Sequence, residues 1–246
     1  MKVTIITVCF NSEKTIRDTI ESVASQNYNN IEYIIIDGLS TDSTMDIVTE
    51  YQKYISVIVS EKDFGLYDAM NKGIKHATGE IIGILNSDDI LANVDTIKKI
   101  VSASSGYDGV YADVGFYDID LKTKKRHYSS KNFEVSKFSR GFMPAHPSCY
   151  IRKSVVEDIG LYSLDYQIAS DFDFLVRAFL SPNNSFNYLN EEVVKMREGG
   201  LSTSGISANI KLNREIIISC RTNGLPCSWF SVLSKYPEKL LGLIFK

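Results

Sequence analysis

The run Ile81-Ile82-Gly83-Ile84-Leu85-Asn86-Ser87-Asp88-Asp89 joins an apolar segment to two adjacent acids. Residues 81–85 have the length and composition of a strand covered on both faces. Neighbouring carboxylates repel one another, so a core strand that ends on them implies a cation or a set of donors nearby. The first expectation is therefore a parallel α/β sheet with a site beyond its strand ends.

The flanking sequence repeats the pattern. Residues 3–10 are β-branched and mostly apolar, and Asn11 or Ser12 is expected to cap a helix striped by Ile16, Ile20, Val23 and Ala24. Residues 31–36 form a second buried strand ending at Asp37-Gly38. Residues 43–53 read as a helix, 55–59 as a third strand, and Leu66, Ala69, Met70, Ile74 and Ala77 recur at helical spacing. Strands separated by helices of this length call for right-handed parallel crossovers. Asn11, Asp37, Asp63 and Asp88-Asp89 follow strands one to four, which converges polar groups on one edge of the sheet. Beyond the fourth strand, residues 107–116 read as another strand. Residues 117–128 read as a hairpin with a charged turn at 122–126, and Asp171 opens a helix.

Composition narrows the class of partner. Twenty-seven basic side chains against thirty acidic ones give a net charge of −3, which excludes a broadly basic nucleic-acid surface. Four cysteines without paired CxxC spacing suit a reduced, cytoplasmic setting. No segment reaches the roughly 20 apolar residues that span a bilayer.

Paired carboxylates at a strand end form a hard-oxygen site suited to Mg²⁺ or Mn²⁺, with a diphosphate completing the ligand set. Neither GxGxxG nor GxxxxGK[ST] follows the first strand, so a dinucleotide fold and a P-loop are set aside. Transfer of a sugar or of a nucleotidyl group remains.

Six motifs in order then resemble family 2 glycosyltransferases of GT-A fold, in the subgroup that builds bacterial surface polysaccharides such as O-antigen and colanic acid. They are Val3 to Asn11 (VTIITVCFN), Ile34 to Thr44 (IIIDGLSTDST), Asp63 to Gly73 (DFGLYDAMNKG), Asn86 to Asp89 (NSDD), His146-Pro147 with Ala169 to Asp173 (ASDFD), and Gly199 to Ser202 (GGLS). The resemblance implies a Rossmann-like, mostly parallel sheet flanked by helices, an antiparallel acceptor-side portion and a C-terminal helical tail. It implies a catalytic domain at 1–205, with a nucleotide-sugar half at 1–105 and an acceptor and base half at 106–205, and a helical extension at 206–246.

By the same resemblance Phe10, Asn11, Asp37, Asp63, Asn71, Lys72, Asn86 and Asp88 bind the nucleotide sugar, and Asp89 binds the divalent cation. Asp171 is the base, while His146, Gly199 and Gly200 touch the diphosphate or acceptor. The chain departs from the commoner pattern in three places: Gly38 stands where a second acid is frequent, Asn86 replaces the first acid of the metal motif, and Ser170 precedes the base in place of Glu. The implied activity is metal-dependent, inverting hexosyl transfer from a nucleotide-diphosphate sugar, UDP favoured, to a glycan acceptor on a lipid diphosphate. Residues 228–246 gather the only Trp with Phe, Leu, Ile and three lysines, and are expected either to lie on the inner face of the membrane or to pack on the catalytic domain. A sugar-phosphate nucleotidyltransferase and a non-catalytic nucleotide-sugar-binding homologue are the alternatives.

Overall fold

β-branched runs without alternation need cover on both faces, and the computed structural model, which describes residues 1–199 and 205–235, provides it. β1 (Val3–Cys9) is buried at every position and β2 (Ile31–Asp37) at all but its first. Both pair in parallel, with β3 (Val57–Ser60) outside β2 and β4 (Ile81–Ile84) beside β1. The crossovers are α1 (Ile16–Ala24), α2 (Thr44–Glu50) and α3 (Leu66–His76). Gly83 in the middle of β4 is required by close packing, because a Cβ there would stand 2.3 Å from the Tyr150 ring.

The second half adds β5 (Ile90–Leu91), α4 (Thr96–Ala103), β6 (Gly109–Tyr117), β7 (Lys124–Tyr128), β8 (Tyr150–Arg152), α5 (Lys153–Ile159), α6 (Ser170–Leu180) and β9 (Phe186–Arg197). It ends with α7 (Ile206–Thr222) and α8 (Trp229–Leu233). The strand order is β3-β2-β1-β4-β8-β6-β9-β5, with β7 also on β6. β8 is antiparallel to both β4 and β6, so β4 and β6 run the same way and their C-terminal ends share an edge.

Two cores cover the sheet. One lies under α1, α2 and α4, and the other under α3, α6 and α7. Ile216, Ile217, Cys220 and Val232 belong to the second, so the core runs across residue 205.

Two local expectations change. α1 starts at Ile16, and Asn11 adopts a left-handed conformation (φ 50°) in which its Oδ1 accepts from the Thr41 amide at 2.8 Å. Asn11 therefore ties the loops after β1 and β2 together and does not cap a helix. The hairpin turn takes in only the first two residues of the charged run: the Asp118 carboxylate accepts from the amides of Lys122 and Thr123 at 2.9 and 3.1 Å, and Lys124 to Arg126 already lie in β7.

Candidate active site

The loops after β1, β2 and β3 meet at the carboxyl ends of their strands. Asp37 is fully buried; its carboxylate accepts from the Ser40 hydroxyl at 2.5 Å and the Ser60 hydroxyl at 2.6 Å. Beside it, Phe10 leaves 61% of its surface exposed, a flat apolar face of the kind on which bases stack. A Cβ on Gly38 would lie 2.4 Å from Asp63 Oδ2 and 3.5 Å from the Phe10 ring. Asp63 thus fills the space a side chain at 38 would need, and puts a carboxylate where the commoner pattern has a second acid.

Asp88 and Asp89 stand at the neighbouring strand end. Asp89 is 2% exposed and Asp88 half-buried. Burial pushes both carboxyls above the usual range, and for Asp89 the charge of Asp88 adds to it. The opposing donors are weak: Asn86 Nδ2 reaches Asp89 at 3.4 Å and the Arg197 amide at 3.3 Å. Asn86 Oδ1 is buried without a partner among the described residues. Among the described residues no group of three His, Cys, Asp or Glu side chains could hold a metal ion alone. The acceptors that are present (two carboxylates and an orphaned amide oxygen) are hard-oxygen donors, and they fit a Mg²⁺ or Mn²⁺ that takes its remaining ligands from phosphate and water.

Arg197, at the end of β9, escaped the sequence reading. Its guanidinium is 4% exposed, pairs with Asp18, and donates to the Asp88 carbonyl at 2.7 Å and the Ile119 carbonyl at 2.9 Å. It fixes the backbone of the acid pair and lends it partial charge compensation. Gly199 follows in an open left-handed position (φ 111°) with nothing around its missing Cβ; Gly200 lies outside the described residues.

Asp171 occupies the first turn of α6 and is partly exposed. Burial raises its carboxyl, against a lowering influence from His146. It accepts from the Phe172 amide at 2.8 Å and stands 3.3 Å from the Tyr67 hydroxyl. The segment before it is clamped by a buried acid from α7: Glu215 accepts from the amides of Gln167, Ile168 and Ala169 at 3.2, 2.9 and 2.9 Å. Nothing in the local sequence marks Glu215, because its partners come from another element.

Three expected ligand contacts turn out to be internal ones. Asn71 is 5% exposed and its amide pairs both ways with the Tyr162 backbone, at 2.8 and 2.9 Å. Lys72 donates to the Lys62 carbonyl at 2.6 Å and pairs with Glu61 at 2.9 Å, which closes the loop that carries Asp63. His146 is buried, with Nε2 2.7 Å from the Tyr162 hydroxyl, and burial pushes its imidazole down towards the neutral form. These side chains support the loops of the site.

Comparison with known proteins agrees with this architecture. The sequence model described as Glycosyl transferase family 2 matches residues 4–160. An uncharacterized glycosyltransferase of Mycobacterium tuberculosis (strain ATCC 25618 / H37Rv) is 36% identical over 180 residues, 72% of this chain and 69% of the relative. A PGL/p-HBAD biosynthesis glycosyltransferase of Mycobacterium bovis (strain BCG / Pasteur 1173P2) is 31% identical over 192 residues, 75% and 73% of the two chains. Among solved structures, S. aureus TarS residues 1–349 with UDP-GlcNAc superposes with a TM-score of 0.74 at 20% identity, over 92% of this chain and 68% of that one. The mannosyltransferase PcManGT from Pyrobaculum calidifontis, with GDP-Man and Mn²⁺, gives 0.66 at 18% identity, over 90% and 63%. At these identities the structural likeness speaks for the fold, which is GT-A.

Proposed function

Because the chain belongs to glycosyl transferase family 2, we propose that it transfers a sugar with inversion from a nucleotide-diphosphate sugar, a UDP-sugar in first place, to a hydroxyl of a lipid-linked glycan during assembly of a bacterial surface polysaccharide. Support for the donor class comes from TarS with UDP-GlcNAc and PcManGT with GDP-Man and Mn²⁺. Support for the setting comes from the PGL/p-HBAD relative and, over 90 residues at 39% identity, a putative teichuronic acid biosynthesis glycosyltransferase of Bacillus subtilis (strain 168).

In this reading Phe10 stacks on the base, Asp63 accepts from it or from the ribose, and Asp37 holds the surrounding loop through Ser40 and Ser60. Asp89, Asp88 and Asn86 Oδ1 hold Mg²⁺ or Mn²⁺, which when bound offsets charge on the departing diphosphate. Asp171 takes the proton of the acceptor hydroxyl as that oxygen attacks the anomeric carbon. A single in-line displacement turns an α-linked donor into a β-linked product.

The reading places the enzyme in the cytoplasm at the inner face of the membrane. Among the described residues no helix is long and apolar enough to cross a membrane. α8 exposes 86% of Phe230 and 45% of Trp229, a surface suited to the headgroup region. The rest of the expected interfacial tail, 236–246, lies outside the described residues.

The observation that carries the reading is the Asp88–Asp89 pair, two raised carboxyls beside an unpartnered amide oxygen. Calorimetry with UDP, GDP, dTDP and CMP, with and without Mn²⁺, tests it. One diphosphate is expected to bind in a metal-dependent manner, and Asp89→Ala to abolish the metal dependence. Absence of metal-linked binding to all four nucleotides would overturn the reading.

A further inference from the structure

Tyr67 lies in the DFGLYDAMNKG segment, of which the reaction as described uses only Asp63. It is 8% exposed, near the start of α3, and its hydroxyl has two partners, both from the segment that carries Asp171. One is the Ile168 carbonyl at 2.6 Å and the other Asp171 Oδ1 at 3.3 Å. A phenol has a single hydrogen to donate and lone pairs to accept with, so it cannot serve both oxygens at full strength. The 2.6 Å bond marks Ile168 as the resting acceptor, which turns a phenol lone pair towards the carboxyl.

The ring is fixed, so only the hydroxyl hydrogen is free to turn. Tyr67 stacks on Tyr162 with centroids 6.0 Å apart, and Tyr162 stacks on Phe174 of α6 at 4.2 Å. Asn71, one turn further along α3, holds the Tyr162 backbone from both sides. His146 holds the Tyr162 hydroxyl. Tyr67 and Asn71 of α3 are thus both directed at the neighbourhood of Asp171, while Asp68 and Lys72 hold the loop that carries Asp63.

We propose that Tyr67 is the positioning residue of the base, its hydroxyl turning from Ile168 to Asp171 so that it donates to the carboxylate before proton transfer and accepts from the carboxylic acid after it. The inference rests on Asp171 being the base. The step balances: the acceptor's O–H proton ends on Asp171, that O–H then points to the Tyr67 oxygen, and the phenol hydrogen returns to the Ile168 carbonyl. No other group changes its proton count. The other titratable groups around Asp171 are His146 and Cys149 from the loop before β8, Tyr162 before α6, and Glu215 from α7. His146 is shifted towards neutrality and the Cys149 and Tyr162 protons are held well above neutral pH by burial. Arg177 and Asp173 further along α6 pair with each other.

The test compares Tyr67→Phe with Asp171→Asn, following release of nucleoside diphosphate from the donor sugar whose nucleotide binds in calorimetry. Tyr67→Phe keeps the ring and its stacking. It is expected to lower kcat about tenfold, as loss of one hydrogen bond to a charged group would. The donor KM should not move, and the acidic limb of the pH–rate profile should shift to higher pH because the ionised base has lost a donor. 3-Fluorotyrosine at position 67 keeps the hydroxyl and strengthens it as a donor, and should move the same limb to lower pH; it decides the matter if the Phe variant does not fold. A wild-type profile for both replacements, with Asp171→Asn inactive, overturns the role of Tyr67 and leaves the base standing. An active Asp171→Asn overturns the base assignment and this inference with it.

Discussion

Asp171, the proposed base, illustrates what burying a carboxyl costs a fold. Burial raises its carboxyl, so the folded state favours the protonated form more than the unfolded chain does. The resulting penalty is absent below the ordinary carboxylate range and complete once the folded group has ionised. Asp171→Asn removes the charge while keeping the shape. It should melt at a higher temperature than the wild type at pH 8, with the difference shrinking as pH falls through the raised folded value and gone below about 4, while turnover drops by about 10² to 10⁴. Equal melting temperatures at pH 8 would show that the carboxylate bears no burial penalty. Asp171, Asp88 and Asp89 were legible in the sequence because acids at strand ends and helix starts stand out against apolar surroundings. Arg197 and Tyr67 were not: their partners Asp89 and Asp171 lie 108 and 104 residues away along the chain. The internal bonds of Asn71 and Lys72 were not legible either, since motif spacing identifies a residue without saying which way its side chain faces.

Elements with one dominant period were readable, and composite ones were not. The parallel strands and α3 declare themselves through unbroken β-branched runs or helical spacing. β9 does not, because its register against β6 slips between Leu189 and Glu192 and the bulge destroys any alternation. β5 is two residues long and exists only because β9 offers it a partner. The same dependence on distant partners governs α6. Its N-terminal approach is held by Glu215 of α7, and Asp173 accepts from Ser219 of α7 at 2.8 Å and from Asn223, just past its end, at 3.1 Å. Glu215→Ala strips the common acceptor from three consecutive amides. A loss of about 3 kcal/mol in unfolding free energy is expected, from leaving buried donors unpaired. It should appear in urea titration as a lower midpoint with an unchanged slope. A midpoint within experimental error of the wild type would mean that water replaces the carboxylate.

Across the whole molecule, and apart from Asp37 with its serine donors, the two ends of the sheet treat their acids in opposite ways. At the N-terminal end of β2, burial would raise Glu32, but hydrogen bonds from Lys2, Thr4 and Thr78 outweigh it and hold the carboxyl at about 2. At the C-terminal edge burial raises Asp88, Asp89 and Asp171, and the few donors the protein supplies do not offset it. The satisfied end stabilises the fold, and the unsatisfied end keeps capacity for a ligand, as expected where parallel strands bind at their carboxyl ends. That edge is completed from later in the chain: Arg197 braces the acid pair, and α7 braces the segment before Asp171 and contributes Ile216, Ile217 and Cys220 to the core shared with α3 and α6. A chain ending at residue 205 would expose those apolar faces and leave the amides before Asp171 without Glu215. It is therefore expected to lack a cooperative thermal transition and to bind an apolar dye in its place, since a domain loses its single transition when part of one continuous core is removed. A 1–205 fragment that melts in one sharp step, with nucleotide binding intact, would show that the helical extension is a separable appendage.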